Sequence, residues 1–298
     1  MKSYSKSFVK GLILLAFALS LSSITLFVSA YNYEHVNVTS QVNITNAFPE
    51  IHLVEVDQNI VLNAGGTTTI TCNATIRDWN GYNEINNVNA TFYYYLNESS
   101  DPDNRNVHYT NASCLEIDND GEYWANYSCS FELYYFANNG SWDCNVTVID
   151  DYGFTDAANN TTSINALYAL NVTDVIDYGD LSVTDTSENI TATVTNFGNM
   201  PINISVLGYG LTEGDGIGLI CEHGNNISIE NQRFSAIITD GWNDKTVLDE
   251  FGKDMEATIP QPTEASNPET LDTYWQLYVP PNPFGVCTGT VRFTATVP

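Results

Sequence analysis

Hydrophobic and polar residues alternate along most of the chain, and Gly, Asn, Asp and Pro interrupt the alternation at short intervals. A two-residue period is typical of strands with one buried face. No long stretch after residue 30 has the apolar spacing of an amphipathic helix. The pattern therefore predicts an all-β chain with two tandem β-sandwich domains after an N-terminal segment. The strands expected in the first half are 51–57, 67–77, 87–96, 107–117, 122–136, 142–150 and one near 160–167.

The first thirty residues depart from this pattern. Three lysines precede an almost wholly apolar run over 12–28, and Val28-Ser29-Ala30 has the spacing of a cleavage site. These features predict a secretory signal peptide over 1–30, with Tyr31 as the first mature residue. Two alternatives are an uncleaved anchor and a processing site at 10–13, which resembles that of archaeal type IV pilin precursors.

The mature chain is long enough for two domains of ordinary size. In the arm that follows the signal segment, four apolar residues share one parity, so a strand is expected there. It would pair either with the first domain or with a neighbouring subunit. Those four residues are Val36, Val38, Val42 and Ile44. The predicted organisation is a signal peptide at 1–30, an N-terminal strand arm at 31–48, a β-sandwich at 49–166, a linker at 167–180 and a second β-sandwich at 181–298.

Glycosylation sequons of the form Asn-x-Ser/Thr crowd the chain. There are fifteen, against about six expected from chance pairing of its 35 asparagines with its 52 serines and threonines. Sequons accept oligosaccharides on exported chains at exposed positions, so the excess predicts an extracellular or cell-surface glycoprotein. The alternative is an Asn- and Thr-rich β-protein with accidental triplets. The asparagines are Asn37, Asn43, Asn73, Asn89, Asn97, Asn111, Asn126, Asn139, Asn145, Asn159, Asn160, Asn171, Asn189, Asn203 and Asn226.

Six cysteines follow the signal segment, an even number that favours three disulfides in an exported chain. Strand parity places Cys72 and Cys144 among apolar, inward-facing residues. The sequon residues Asn73 and Asn145 then fall on the opposite, solvent-facing side. Two independent requirements thus agree on one register, and we expect a Cys72–Cys144 disulfide between two sheets.

The other four cysteines are paired by position. Cys114 and Cys129 flank a turn-forming stretch at 118–121, so a local disulfide is expected. Cys221 and Cys287 remain, both in the second half, and form the third predicted pair. The cysteines are scattered and no CxxC motif occurs, which disfavours a metal site.

Residues 46–166 resemble the Ig-like modules of archaeal and bacterial surface proteins. The resemblance implies an Ig-like sandwich and no particular ligand. Trp142 departs from the immunoglobulin pattern, because it precedes the second cysteine instead of lying on the third strand. The residues that carry the resemblance are Cys72, Asp78, Gly81, Cys129, Gly140, Trp142, Cys144, Asp150 and Gly153.

Two stretches of the second half also resemble surface modules. The segment Asn196-Phe197-Gly198-Asn199-Met200-Pro201 lies between strand patterns at 190–195 and 202–206, and resembles a hairpin of cell-adhesion-related domains. The tail over 274–293 resembles the closing strands of secreted archaeal β-sandwiches. The resemblance implies a second sandwich of the cell-adhesion-related type. Between these stretches, the polar region 240–270 is expected to be a long loop.

The chain is strongly acidic, with 9 Lys plus Arg, 36 Asp plus Glu and a formal net charge of −27. Removal of the signal segment would leave 6 basic residues and a charge near −30. Nucleic acid and anionic membranes would repel such a chain. We therefore expect no nucleic-acid partner, and membrane contact only through an uncleaved signal segment. Other surface proteins or glycans are the expected partners.

Signatures of catalysis are missing from the sequence. The histidines His35, His52, His108 and His223 have neither HExxH nor HxH spacing, and no GxSxG elbow or P-loop occurs. No carboxylate pair is singled out for glycoside hydrolysis. We therefore expect no enzymatic activity and no cofactor. The weak calcium candidates are Asp118, Asp120 and Glu122, whose alternation is equally typical of a turn.

The sequence thus predicts a non-enzymatic, glycosylated extracellular or cell-surface protein with a structural or adhesive role. Because residues 227–298 contain no sequon, a protein contact is expected there. One alternative is a filament or surface-layer subunit that polymerises through the strand in the arm. Another is a secreted carbohydrate-binding module or glycosidase. The aromatic runs 92–95 and 133–136 could stack on sugars, although cross-strand packing is the more usual role.

Overall fold

The computed structural model describes residues 36–298. The predicted signal peptide, His35 and the start of the arm lie outside the described residues. The chain divides into two compact units, Met1–Thr45 and Asn46–Pro298. Among the described residues, no helix is long and apolar enough to cross a membrane.

The described part of the arm, residues 36–45, contains no strand, and the strand expected over 31–48 is not formed there. A strand exists only where a neighbouring strand accepts its backbone hydrogen bonds, so alternation alone does not produce one. The four apolar side chains of the arm are exposed by 77–85%: Val36, Val38, Val42 and Ile44.

The unit Asn46–Pro298 is built from antiparallel strands with two short 3₁₀ turns, so the predicted all-β class with tandem disulfide-linked sandwiches is confirmed. The strands are β1 (Glu50–Val56), β2 (Thr67–Arg77), β3 (Ile85–Tyr94), β4 (His108–Asn111), β5 (Leu115–Asn119), β6 (Trp124–Tyr134), β7 (Gly140–Asp150), β8 (Thr155–Ile164), β9 (Leu170–Val172), β10 (Ile190–Asn196), β11 (Ile202–Tyr209), β12 (Ile217–His223), β13 (Ile227–Ser228), β14 (Gln232–Ser235), β15 (Thr246–Val247), β16 (Lys253–Ile259), β17 (Thr270–Leu277), β18 (Phe284–Thr288) and β19 (Thr290–Thr296).

The first sandwich consists of two four-stranded sheets, ordered β1-β2-β6-β5 and β4-β3-β7-β8. The single strand expected over 107–117 is wrong, because the chain leaves one sheet after Asn111 and enters the other at Leu115. Cys114 lies at this crossing and donates its backbone N–H to Val88 O at 2.7 Å. The crossing joins the two sheets within a few residues.

The alternation on β7 shows how the core is filled. Trp142 and Cys144 are fully buried, whereas the sequon residue Asn145 is half-exposed. Trp142 stacks on Phe92 with ring centroids 4.9 Å apart, and its indole N–H donates to Asn138 O at 2.8 Å. Stacking of this kind adds about 0.5–1.5 kcal/mol beyond burial. The core therefore accommodates its tryptophan on the strand of the second cysteine.

Three sheets build the second half: β15-β14-β17-β10-β9, β16-β11-β19 and β13-β12-β18. The hairpin expected between 190–195 and 202–206 is not formed, because β10 pairs with β17 and β9 while β11 pairs with β16 and β19. The intervening loop carries the chain between sheets. The stretch 240–270 is also not one long loop, since it contains β15 and β16. Only Met255 and Ile259 of β16 are buried, which is too weak an apolar pattern to indicate a strand.

Buried amides hold the loop after β10 against the first sandwich. Asn199 is fully buried. Its Nδ2 donates to the carbonyl oxygens of Ala137 and Asn165, each at 3.0 Å, and its Oδ1 accepts the N–H of Leu167 at 2.7 Å. These bonds satisfy backbone groups of the first sandwich and of the chain leaving it.

Close packing supports the same junction. Gly198 approaches the backbone so closely that a Cβ would lie 2.1 Å from Leu167 O. Phe197 O accepts the N–H of Gly65 at 3.1 Å, and the Phe197 ring meets Tyr135 edge-on with centroids 5.6 Å apart. Residues 197–199 are therefore a tertiary contact between the two sandwiches, which explains why they do not form a hairpin turn.

We expect Asn199→Ala to lower the free energy of unfolding by about 2–4 kcal/mol, because it leaves two buried carbonyl groups and one buried N–H unpaired. Urea unfolding followed by tryptophan fluorescence measures the change. Asn225→Ala, at an exposed asparagine outside any sequon, should change the value by less than about 0.5 kcal/mol. Equal losses in the two variants would contradict a structural role for the buried amide.

Candidate functional site

The sequon asparagines share one structural property: all fifteen occupy exposed or half-exposed positions. On β2 and β7, Asn73 and Asn145 point outward from strands whose cysteines point inward. The two asparagines classed as buried in the described residues, Asn196 and Asn199, lie outside sequons. Exposure of the asparagine is a requirement for glycosylation. In four of the sequons, the amide nitrogen nevertheless donates a hydrogen bond within the protein: Asn97, Asn111, Asn160 and Asn189.

The disulfides join the three cysteine pairs expected from the sequence: Cys72–Cys144, Cys114–Cys129 and Cys221–Cys287. Cys72 lies opposite Cys129 in the β2–β6 ladder, yet the two do not bond to each other. Cys72 reaches Cys144 in the facing sheet, with Cα atoms 6.6 Å apart. Cys129 bonds to Cys114 at the crossing between sheets. Both disulfides therefore meet in one region of the core.

The weak calcium candidates form a turn. Asp120 Oδ1 accepts the backbone N–H groups of Glu122, Tyr123 and Trp124 at 2.8, 2.9 and 3.0 Å. These hydrogen bonds, led by that from Trp124, hold the pKa of Asp120 below its ordinary value. Asp118 lies on β5 just before this turn. Within residues 36–298, no three His, Cys, Asp or Glu side chains group in a way that could hold a metal ion.

Asp78 and Asp150 entered the sequence analysis only through the Ig-like resemblance, and no signal in the sequence indicated that both side chains are buried. Asp78 Oδ1 accepts the N–H of Asn80 at 2.8 Å, while its Oδ2 has no partner among the described residues. Burial, together with the nearby charge of Asp150, raises the pKa of Asp78. Burial and the charge of Asp78 also raise the pKa of Glu84.

The aromatic runs are mostly core. Phe92 and Phe136 are fully buried and Tyr135 is 4% exposed. Tyr95, at 54% exposure, is the member of these runs that projects furthest into solvent, and its ring packs edge-on against Tyr94. The runs therefore do not form a row of exposed rings for sugar stacking.

A second exposed aromatic group surrounds Arg77. Its guanidinium carbon lies 4.2 Å from the ring centroid of Trp79 and 5.1 Å from that of Trp124. Arg77 also forms an ion pair with Glu50. The cation thus covers ring faces on which a sugar would otherwise stack.

A groove with a volume of 1160 Å³ lies in the second half. One wall is β9 and the segment 173–181, part of the predicted linker. The opposite wall is β18 and β19, and four buried apolar residues contribute the floor. Those residues are Leu219, Ile227, Leu277 and Val279.

Both walls of the groove are free sheet edges. β9 is the last strand of its sheet and pairs with β10, while β18 and β19 end their own sheets and pair with β12 and β11. Among the described residues, no backbone–backbone hydrogen bond involves the segment 174–181. The strands that line the groove therefore have backbone N–H and C=O groups without a strand partner.

Several apolar side chains on the β18–β19 wall are exposed or only half-buried. Phe284 and Val286 on β18 are each 63% exposed. Val291 and Phe293 of β19 pack against the core but are only half-buried. The second sandwich is thus incompletely covered along this edge. The wall belongs to the sequon-free region 227–298, where the sequence predicted a contact.

No protein family model matches the chain. No curated protein is significantly similar to it in sequence.

Similar solved structures include the CsuC–CsuE chaperone–tip adhesion subunit complex from Csu pili of Acinetobacter baumannii, at 11% identity over 82% of this chain and 100% of that chain, with a TM-score of 0.39. A carbohydrate-binding module of the β-sandwich superfamily matches at 10% identity over 85% and 97% of the respective chains, with a TM-score of 0.26. The C-terminal domain of the Streptococcus pyogenes antigen I/II-family protein AspA matches at 11% identity over 84% and 96%, with a TM-score of 0.24.

Each disulfide of the first sandwich, when removed alone, should lower the free energy of unfolding by a different amount. The Cys72–Cys144 and Cys114–Cys129 bonds close loops of 72 and 15 residues. Chain entropy then predicts losses of about 4 and about 3 kcal/mol for the corresponding double alanine variants. Urea unfolding of each variant beside the oxidised wild type measures the losses. A larger loss for the shorter loop would show that chain entropy does not dominate.

Asp78→Asn should make stability less dependent on pH between about pH 4 and pH 8. A raised carboxyl pKa stabilises the folded state below the unfolded value of about 4, and this contribution is lost as pH rises through the raised folded value. Asparagine keeps an oxygen for the Asn80 N–H and cannot ionise. We expect the free energy of unfolding of the variant, relative to wild type, to increase from about pH 4 to about pH 8.

Urea unfolding at both pH values tests the expected increase for Asp78→Asn. Asp118→Asn, at an exposed carboxylate, is the matched control and should show no such increase. A decrease for Asp78→Asn, relative to wild type, at the higher pH would show that the folded protein requires this carboxylate in its charged form.

Proposed function

We propose that this chain is a non-enzymatic, glycosylated extracellular or cell-surface protein that displays two joined β-sandwiches in a structural or adhesive role. The observation that carries the proposal is the excess of sequons, fifteen against about six expected by chance, each at an exposed or half-exposed asparagine.

The disulfides support the same location. All six cysteines are paired, and the described residues contain no free cysteine. Structural disulfides form and persist in oxidising environments, outside the reducing cytosol. A chain with three such bonds and a predicted signal peptide therefore belongs outside the cell or on its surface.

The protein would act by holding its two sandwiches in a fixed arrangement. The two sandwiches are joined by the buried side chain of Asn199 and the close packing of Phe197 and Gly198, so they would present their faces at a fixed relation. Oligosaccharides would shield the sequon-bearing faces. The sequon-free region 227–298 would remain available to other surface proteins or glycans.

Polymerisation through the arm is a second candidate function, favoured by the exposure of the arm's apolar side chains. The described arm presents valine and isoleucine side chains to solvent at exposures of 77–85% and forms no strand. Exposed alternating apolar residues in an extended segment are typical of a strand that lacks its partner. A carbohydrate-binding role is less well supported, because the aromatic runs are mostly packed in the core.

Intact mass measurement and peptide mapping of the native protein test the main proposal. We expect Tyr31 at the N-terminus, three disulfides, and oligosaccharide on sequon peptides such as those of Asn73 and Asn145. At the adjacent sequons, Asn159 should be the preferred acceptor, because Asn160 Nδ2 donates to Val54 O at 2.8 Å.

The peptide with Asn196 and Asn199 is the internal control and should carry no sugar. Native protein with six free thiols and unmodified asparagines would refute an extracellular glycoprotein.

A further inference from the structure

We propose that the groove between β9 and β18–β19 binds the arm of a second copy of this chain as an added β-strand. The inference rests on the proposed surface function and names the partner of that surface. Each copy carries one arm and one groove. Association of this kind is head-to-tail, so it generates an open filament or a closed ring.

The backbone of the groove is suited to a strand. Its lining includes three strands that are the last members of their sheets, β9, β18 and β19. An added strand on such an edge would supply main-chain hydrogen bonds, which provide affinity in β-strand addition. At about 3.3 Å per residue, residues 36–45 would extend over roughly 33 Å, and the stretch 284–293 of the lining has the same number of residues. The wall is long enough for the whole described arm.

The apolar side chains of the arm could all face the groove at once. They occupy even positions, so in a strand they would all point to one face. The floor residues Leu219 and Leu277 are already buried, so the accessible apolar surface for that face comes from the less buried side chains beside them. Half-buried Val291 and Phe293 of β19 would become covered. Burial of these groups supplies the hydrophobic part of the binding free energy.

The sequons of the arm agree with the same orientation. Asn37 and Asn43 occupy odd positions, so a strand with its valines in the groove would point both asparagines outward. Oligosaccharides at these sites would remain in solvent after assembly. A glycosylated arm could therefore bind without losing its sugars.

Charge disfavours an acidic occupant and is compatible with the arm. Residues 36–45 contain no charged side chain, although the chain as a whole has a formal net charge of −27. The groove wall carries Asp174, Asp177 and Asp180. An acidic strand would be repelled by this rim, whereas the arm would not.

Paired charge substitutions in the full-length protein test the inference. Val42→Asp places a charge on the inward face of the arm, and Gln41→Asp is its matched control on the outward face. Val286→Asp places a charge on the groove wall, at a residue exposed enough to tolerate it, and Val297→Asp is its control at a similarly exposed valine outside the groove. None of the four changes alters the Asn or Ser/Thr of a sequon.

Sedimentation velocity over a concentration series, with electron microscopy of the same samples, measures assembly. We expect wild type, Gln41→Asp and Val297→Asp to form oligomers or filaments. Val42→Asp and Val286→Asp should associate at least about tenfold more weakly, because each would bury an unpaired charge. Mixing these two variants should restore dimers and no longer species, since Val286→Asp still has an intact arm and Val42→Asp an intact groove.

Two results would overturn the inference: equal assembly of all five proteins, or a wild type that stays monomeric at every concentration. A monomer whose groove is protected from hydrogen exchange only while the arm is present would show that the chain's own arm fills it, and would equally overturn binding between copies. Glycan and disulfide mapping of the same samples separates these failures from failure of the surface function. A monomeric glycoprotein with three disulfides would refute only the assembly.

Discussion

On β2 and β7 each inward residue is followed by an outward one, and this register is the constraint on which the first sandwich depends. It places Cys72 and Cys144 in the same core and keeps Asn73 and Asn145 in solvent. A slip of one residue would bury the sequon asparagines and separate the sulfur atoms. The disulfide, the core packing and the exposure of the sequons therefore support one another, because all three require the same faces.

Asparagine has two roles in this molecule, and burial separates them. On outward strand positions its amide is a candidate glycan acceptor. At the junction, the side chain of Asn199 satisfies two carbonyl groups and one N–H that no strand can reach. A buried amide with all its partners fixes the geometry of its neighbours, since moving it would leave several polar groups unpaired. The junction can therefore transmit position between the sandwiches, as a display protein requires.

The two sandwiches differ in how completely they are covered. Two disulfides and a set of fully buried residues, Trp142 among them, fill the first core. In the second, β19 leaves Val291 and Phe293 half-buried beside two unpaired edges. Unpaired edges next to apolar surface favour addition of a further strand. The incomplete sandwich and the exposed arm are complementary features of the same chain.

Local alternation by itself determined the all-β class, most strands of the first half, the Cys72–Cys144 pair and the outward position of Asn73 and Asn145, because period and parity are local properties. The other two disulfide pairs followed from the positions of their cysteines along the chain. Strand pairing was decided by tertiary structure. The chain changes sheets at Cys114, the loop at Asn199 replaces a hairpin, and β16 forms with only two buried residues, since each depends on partners distant in sequence. The groove and the buried Asp78 likewise arise from non-local packing. In the arm, alternation predicted a strand that does not form. A strand needs the edge of a neighbouring strand to pair with, and local alternation does not determine whether such an edge is present.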